Sequence, residues 1–192
     1  TKSAGVTSST INTLINGVTY QNSSQDPTSG ARTITLSQLV DNGGVANSGV
    51  DTANIAIVST VNVTPVNDAP TISVTATNGT FTEGAGTATG TAIKPFSGAS
   101  VSTIESSQAI KSLTFTVGNI VDGAAEQVNV DGSVISLVNG GTGTTTTNGM
   151  TYNVTVSGGT ATFVLTKSAG VATSAVNTLI NNLSYQNISQ DP

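Results

Sequence analysis

Residues 1–27 (TKSAGVTSSTINTLINGVTYQNSSQDP) return as residues 166–192 (TKSAGVATSAVNTLINNLSYQNISQDP), identical at 19 of 27 positions and displaced by 165 residues. That period is too long for one turn of a solenoid and fits a whole-domain repeat. Whatever module holds the first copy, the second belongs to another module of the same kind. The chain therefore reads as one period plus an overlap, a window taken from a tandem array.

The phase of the window is set by Pro65-Val66-Asn67-Asp68-Ala69-Pro70. Proline fixes φ and lacks an N–H, so two of them this close exclude both a helix and a central strand. Strand-like sequence enters from Asn54 to Thr64 and leaves from Thr71 to Thr77, and Asn67 and Asp68 place two oxygen-bearing side chains between. We read residues 66–70 as a stiff linker, residues 1–65 as the C-terminal part of one repeat, and residues 71–192 as the N-terminal part of the next.

Periodicity supplies the elements. Apolar residues at Ile11, Leu14, Ile15 and Val18, behind the cap candidates Ser8, Ser9 and Thr10, have the spacing of a short amphipathic helix. The second copy keeps that spacing as Val176, Leu179, Ile180 and Leu183, with Thr173 or Ser174 as cap. A strand entering from Ala161–Leu165 is expected to continue through the start of each copy, residues 1–7 in the first. Elsewhere alternation predicts strands over Arg32–Val40, the run ending at Thr64, Thr71–Thr77, Ala92–Phe96, Leu113–Val117, Val128–Val130 and Val134–Leu137. Tyr152–Val156 and Thr162 onward, joined by Ser157-Gly158-Gly159, read as a hairpin. Gly140–Gly149 reads as a flexible loop, and Asp122-Gly123 and Asp131-Gly132 as plain turns. Many short strands joined by Gly, Asn and Asp turns indicate a sandwich.

Composition narrows the function. Only 8% of residues are charged and 4% aromatic, there is no Cys and no His, and the net charge is −5 with five basic residues. Five cations argue against a nucleic-acid surface, and no apolar run approaches the ~20 residues of a membrane span. The absence of His and Cys removes the commonest general base and the thiol nucleophile, so an enzyme is not expected. A Lys–Asn–acid isopeptide crosslink would have to draw on Lys2, Lys94, Lys111 or Lys167.

The run VTPVNDAPTI followed by FTEG resembles the junction of cadherin-like repeats, and RTITLSQLVDNGG…DTANIAIVSTVNVTPVNDAP resembles their closing strands. With the NTLINGVTYQN segment and the DGAAE, VNVDG and SGGTATF stretches, the whole chain is similar to the long cadherin-like repeats of giant bacterial surface and type I-secreted, RTX-type adhesins. The resemblance implies an all-β, cadherin-like or Ig-like β-sandwich with one short helix per repeat, at the bacterial cell surface or outside the cell. It also implies Ca2+ at the junctions. Asn67 and Asp68 match the linker ligands, Glu83 the acidic residue after it, and Asp41 the Asp of the preceding Asp-x-Gly turn. Asp26 and its copy Asp191 match the acidic loop. Glu105 stands where such repeats carry Asp-x-Asp, with Thr103 in place of the first Asp, which leaves one carboxylate fewer for a full set of three ions. Calcium takes six to eight oxygens at ~2.3–2.6 Å, and extracellular modules hold it at only ~10⁻⁴–10⁻³ M.

The expected role is a structural extender repeat of an extracellular adhesin or fibre, its partners the neighbouring repeats. A carbohydrate-binding or homophilic adhesion module is the alternative, weakened by three Tyr and no Trp as sugar platforms. The phase carries one more expectation. A sandwich of this size is ~40 Å long, and a five-residue linker spans at most ~18 Å. Residues 28–65 are therefore expected to complete the half-repeat 71–192 of another molecule, head to tail or by domain swapping.

Overall fold

The structure is a computed structural model and describes residues 5–191. Thr1–Ala4 and Pro192 lie outside the described residues, and with them Lys2 and most of the strand expected over residues 1–7. The chain divides into two compact units, Thr1–Asn67 and Asp68–Pro192.

The first unit holds helix α1 (Ser8–Asn16) and strands β1 (Gly30–Val40) and β2 (Thr52–Val63), paired antiparallel from Gly30↔Val63 to Val40↔Thr52. Thr7, not the Ser8–Thr10 run, caps α1: its hydroxyl accepts from the Thr10 N–H at 3.3 Å. The predicted apolar stripe is present, yet no residue of α1 is buried. A lone two-stranded ribbon buries too little to stand unaided.

The second unit holds β3 (Thr71–Ala76), β4 (Phe96–Ser102), β5 (Ile110–Val117), β6 (Glu126–Val130), β7 (Ser133–Ser136), β8 (Gly141–Thr144), β9 (Thr151–Ser157), β10 (Thr160–Val171), α2 (Thr173–Asn182) and β11 (Ser184–Asn187). All its ladders are antiparallel, in sheets ordered β5-β10-β9-β8, β11-β6-β7 and β3-β4. The fold is thus all-β and sandwich-like, with two short helices among the described residues.

Its core follows from strand parity, since alternate side chains share a face. Val128 and Val130 of β6, Val154 of β9, and Ala161, Phe163 and Leu165 of β10 are 0–1% exposed. Phe115 and Phe163, directly opposite across β5 and β10, stack with ring centroids 4.7 Å apart. From α2, Val176, Leu179 and Ile180 complete this cluster. Every buried apolar residue described belongs to the second unit.

Two stretches differ from expectation. Gly141–Thr144 is a strand rather than a loop, pairing Gly143 with Tyr152. A Cβ at Gly143 would stand 2.7 Å from the Tyr152 hydroxyl, so the ring covers the glycine and occupies the space of a side chain. Over Ala92–Phe96 only Ile93 bridges, to Tyr185, and the regular strand begins at Phe96.

Candidate functional site

Three buried carboxylates organise the polar chemistry of the second unit, and two are fully partnered. Glu126 opens β6 on its inward-facing parity and is 3% exposed. Its Oε1 accepts from the N–H groups of Val121 and Asp122 at 2.7 and 2.9 Å, and its Oε2 from the Tyr185 hydroxyl at 2.9 Å. Burial, then the hydrogen bond to Glu126 and the charges of Glu126 and Asp122, push the Tyr185 phenol up to about 12. Asn187, two residues on, donates its amide to Asp122 at 2.6 Å. This carboxylate is an internal staple between the 121–126 turn and β11.

Asp131 sits with Gly132 in the two-residue β6–β7 turn, both in the left-handed region that such turns require (φ 52° and 78°). Its carboxylate is 5% exposed and accepts from the Thr145 hydroxyl, the Asn148 N–H and the Asn148 amide. The Lys167 amine donates to the main-chain oxygen of Asn148. Lysine, asparagine and a buried acid thus meet here, with the amine on the main chain rather than on the carboxamide. Asp131 is more than a plain turn: it ties the 145–148 loop to β6.

Glu105 is the exception. It is 7% exposed, its Oε1 accepts from the Asp68 N–H at 2.6 Å, and its Oε2 is buried without a hydrogen-bond partner. Glu105 follows Ile104, a β-branched residue at φ 66°, where strain of about 1–3 kcal/mol is ordinary. The Thr103 hydroxyl donates to the Glu105 main-chain oxygen at 2.9 Å. A buried carboxylate oxygen lacking a donor costs free energy, and a hard cation is the simplest counterpart that would relieve it. Glu105 Oε2, at the end of the second unit that carries Asp68, is thus a single buried acceptor that a cation would satisfy.

The other expected ligands lie as follows. Glu83 is exposed and comes after β3, whose six residues carry the chain about 20 Å from Asp68. Phe81, two residues before Glu83, packs edge-on against Tyr185. In the first unit, Asp41 closes a tight turn, its Oδ1 accepting the Gly43 N–H at 2.7 Å. That turn sits at the Val40–Thr52 end of the hairpin, whereas Asp26 and Asn67 lie in the chain next to its Gly30–Val63 end. Asp26 and Asp191 have the same local geometry, each N–H donating to a Ser Oγ two residues earlier at 3.1 and 3.2 Å. Of the six expected ligands, Asp68 and Glu105 meet within one unit through the Asp68 main-chain N–H, not through a pair of carboxylates. Among the described residues no group of three or more acidic, His or Cys side chains could hold a metal.

Sequence reasoning missed Glu126 and Asp131 as organising groups. The visible signal was an acid on the apolar parity of a strand, as in Glu126-x-Val128-x-Val130. It also missed Asn177 and Asn181 of α2, which accept from the Val101 and Ala99 N–H groups of β4 at 2.8 and 2.9 Å.

No helix among the described residues is long and apolar enough to cross a membrane. No protein-family model matches this chain, no curated protein matches its sequence, and no solved structure matches its fold.

Proposed function

We propose that this chain is a structural extender repeat of a long extracellular protein, a cadherin-like sandwich module whose junctions are stiffened by calcium. The observation that carries the reading is the return of residues 1–27 at a spacing of 165 residues, which makes one module succeed another. Support for the stiffening comes from Glu105, whose Oε2 has no donor and whose Oε1 rests on the first residue after the linker asparagine. Asp68 and Glu105 would hold the ion, supplying charged oxygens at the module's linker end. A weakly bound ion suffices outside the cell, where calcium is abundant relative to ~10⁻⁴–10⁻³ M sites. A composition with five basic residues, three Tyr and no Trp suits a spacer, since it offers little from which to build a cationic patch or an aromatic platform.

The test is a thermal melt of the chain in millimolar calcium and in chelator. Calcium is expected to raise the Tm, because an ion that binds only the folded state stabilises it by mass action. Glu105→Gln is expected to abolish that rise while leaving the melt in chelator unharmed. Identical melts with and without calcium would remove the stiffening mechanism.

A further inference from the structure

We infer that Asn78 is a site of spontaneous self-modification, the asparagine that this fold leaves readiest to become aspartate and isoaspartate. The chain has five Asn-Gly pairs: Asn16-Gly17, Asn42-Gly43, Asn78-Gly79, Asn139-Gly140 and Asn148-Gly149. Such a pair rearranges when the glycine nitrogen attacks the asparagine Cγ. The N–Cγ bond forms, the Cγ–Nδ2 bond breaks, and the glycine amide proton leaves with Nδ2 as ammonia. Solvent water then opens the cyclic imide at either carbonyl, giving aspartate or, with one more methylene in the main chain, isoaspartate. Glycine is the favoured successor because it has no Cβ to crowd the approach.

The first step needs a glycine N–H and a carboxamide that are both at liberty, and the fold withdraws one or the other in four of the five pairs. The Gly17 N–H donates to the Thr13 and Leu14 carbonyls at 3.0 and 3.2 Å. The Gly43 N–H donates to Asp41 Oδ1 at 2.7 Å. The Gly140 N–H donates to the Val154 carbonyl at 2.9 Å, and Asn139 Oδ1 accepts from the Val156 N–H at 3.0 Å. Asn148 gives both its main-chain N–H and its carboxamide to Asp131. Asn78-Gly79 is the exception. Both residues are exposed, and among the described residues neither the Asn78 carboxamide nor the Gly79 N–H has a hydrogen-bond partner.

The surroundings give the change a consequence. Thr77 is tied by its N–H to the Pro95 carbonyl at 2.9 Å. Gly79 lies so close to Ile93 that a Cβ on it would stand 2.6 Å from Ile93 Cγ2. Ile93 and Tyr185 in turn exchange two main-chain hydrogen bonds, each of 2.8 Å. A methylene added between Thr77 and Gly79 drives the glycine against Ile93, so isoaspartate at position 78 loosens the bridge to Tyr185. None of this depends on whether the array is a stalk.

The test is to age the full chain in mildly alkaline buffer and map its peptides by mass spectrometry, with electron-transfer fragmentation to tell isoaspartate from aspartate. Asn78 is expected to convert at least about fivefold faster than any other Asn-Gly pair, the factor that one net hydrogen bond is worth. In urea the rates are expected to converge, since the sequence context is shared. Asp41→Ala, which frees the Gly43 N–H, is expected to speed Asn42 by about fivefold and leave Asn78 unchanged. Amide exchange at Ile93 and Tyr185 is expected to quicken as the folded chain ages, and Asn78→Gln, which disfavours the imide ring, to prevent this. A rate at Asn78 no higher than at the other pairs overturns the assignment, as does the same ranking persisting in urea. An Asn42 that stays slow in Asp41→Ala overturns the account of what protects the other pairs, and unchanged exchange at Ile93 and Tyr185 overturns the link to the bridge.

Discussion

The two copies of the duplicated segment are the same text in two settings. In the first unit Leu14 and Val18 are 62% and 51% exposed; their counterparts Leu179 and Leu183 in the second are 2% and 6%. Some structure is indifferent to this. Both copies form a helix, both place a Thr hydroxyl on the carbonyl four residues back (Thr13 on Ser9, Thr178 on Ser174), and both fold Asn-x-Ser-x-Asp into the same turn. Other structure is not. Ser184–Asn187 is a strand because β6 lies beside it, whereas the matching Thr19–Asn22 has no assigned structure. Helix and turn are local properties of the segment; strand and burial are conferred by neighbours.

This contrast can be broken by paired substitutions, one in each copy. The largest difference is expected for Leu179→Ala against Leu14→Ala. The first empties a fully buried site and should cost about 2–5 kcal/mol; the second should stay within about 0.5 kcal/mol. Urea unfolding of the second unit measures both, and equal costs would mean that α1 is packed in solution.

Next come the helix asparagines. Asn177→Ala or Asn181→Ala strips the acceptor from a β4 N–H and should cost about 1–3 kcal/mol. Asn12→Ala and Asn16→Ala, at the matching positions, should leave that same transition where it is.

Tyr185 gives a pH signature. Its folded pKa is raised from an ordinary value near 10 to about 12, so the protonated form is the one the fold favours. Its contribution is complete below pH ~10 and is lost as pH rises through about 12. Tyr185→Phe should lower stability by about 1–2 kcal/mol at neutral pH and flatten this alkaline loss. Tyr20→Phe should do neither.

The smallest effect concerns caps. Thr7 caps α1, whereas Ala172 precedes α2 with no side-chain cap. Ala172→Thr should add about 0.5–1 kcal/mol to the second unit, while Thr7→Ala should not move its unfolding.

How much of this was legible beforehand follows the same division. The helix spacing at Val176, Leu179 and Ile180 and the hairpin around Ser157-Gly158-Gly159 were readable, because a few adjacent residues encode them. Strand β8 was not. Gly141–Thr144 has no apolar periodicity and becomes a strand because Tyr152 lies over Gly143. Most of β4, Phe96–Ser102, escaped for a related reason: its small residues are held by β3 on one side and by helix asparagines on the other. The candidate site was half visible. Asp68 and Glu105 stand 37 positions apart and share a hydrogen bond, whereas Glu83, only 15 positions from Asp68, comes after the far end of β3. Separation along the chain says little about which acids meet, since a strand between two residues moves them apart faster than any loop.

The asparagine-sealed flank of β4 has a consequence for a string of near-identical modules. Beads tied by short tethers face one another at effective concentrations of order millimolar, where matching strands would readily zip across from bead to bead. A sheet closed by helix side chains on one side leaves such errant pairing a single edge of that sheet, the outer side of β3. Amides taken up by carboxamides are not free for a neighbour to recruit, so this flank of β4 is closed to strand addition.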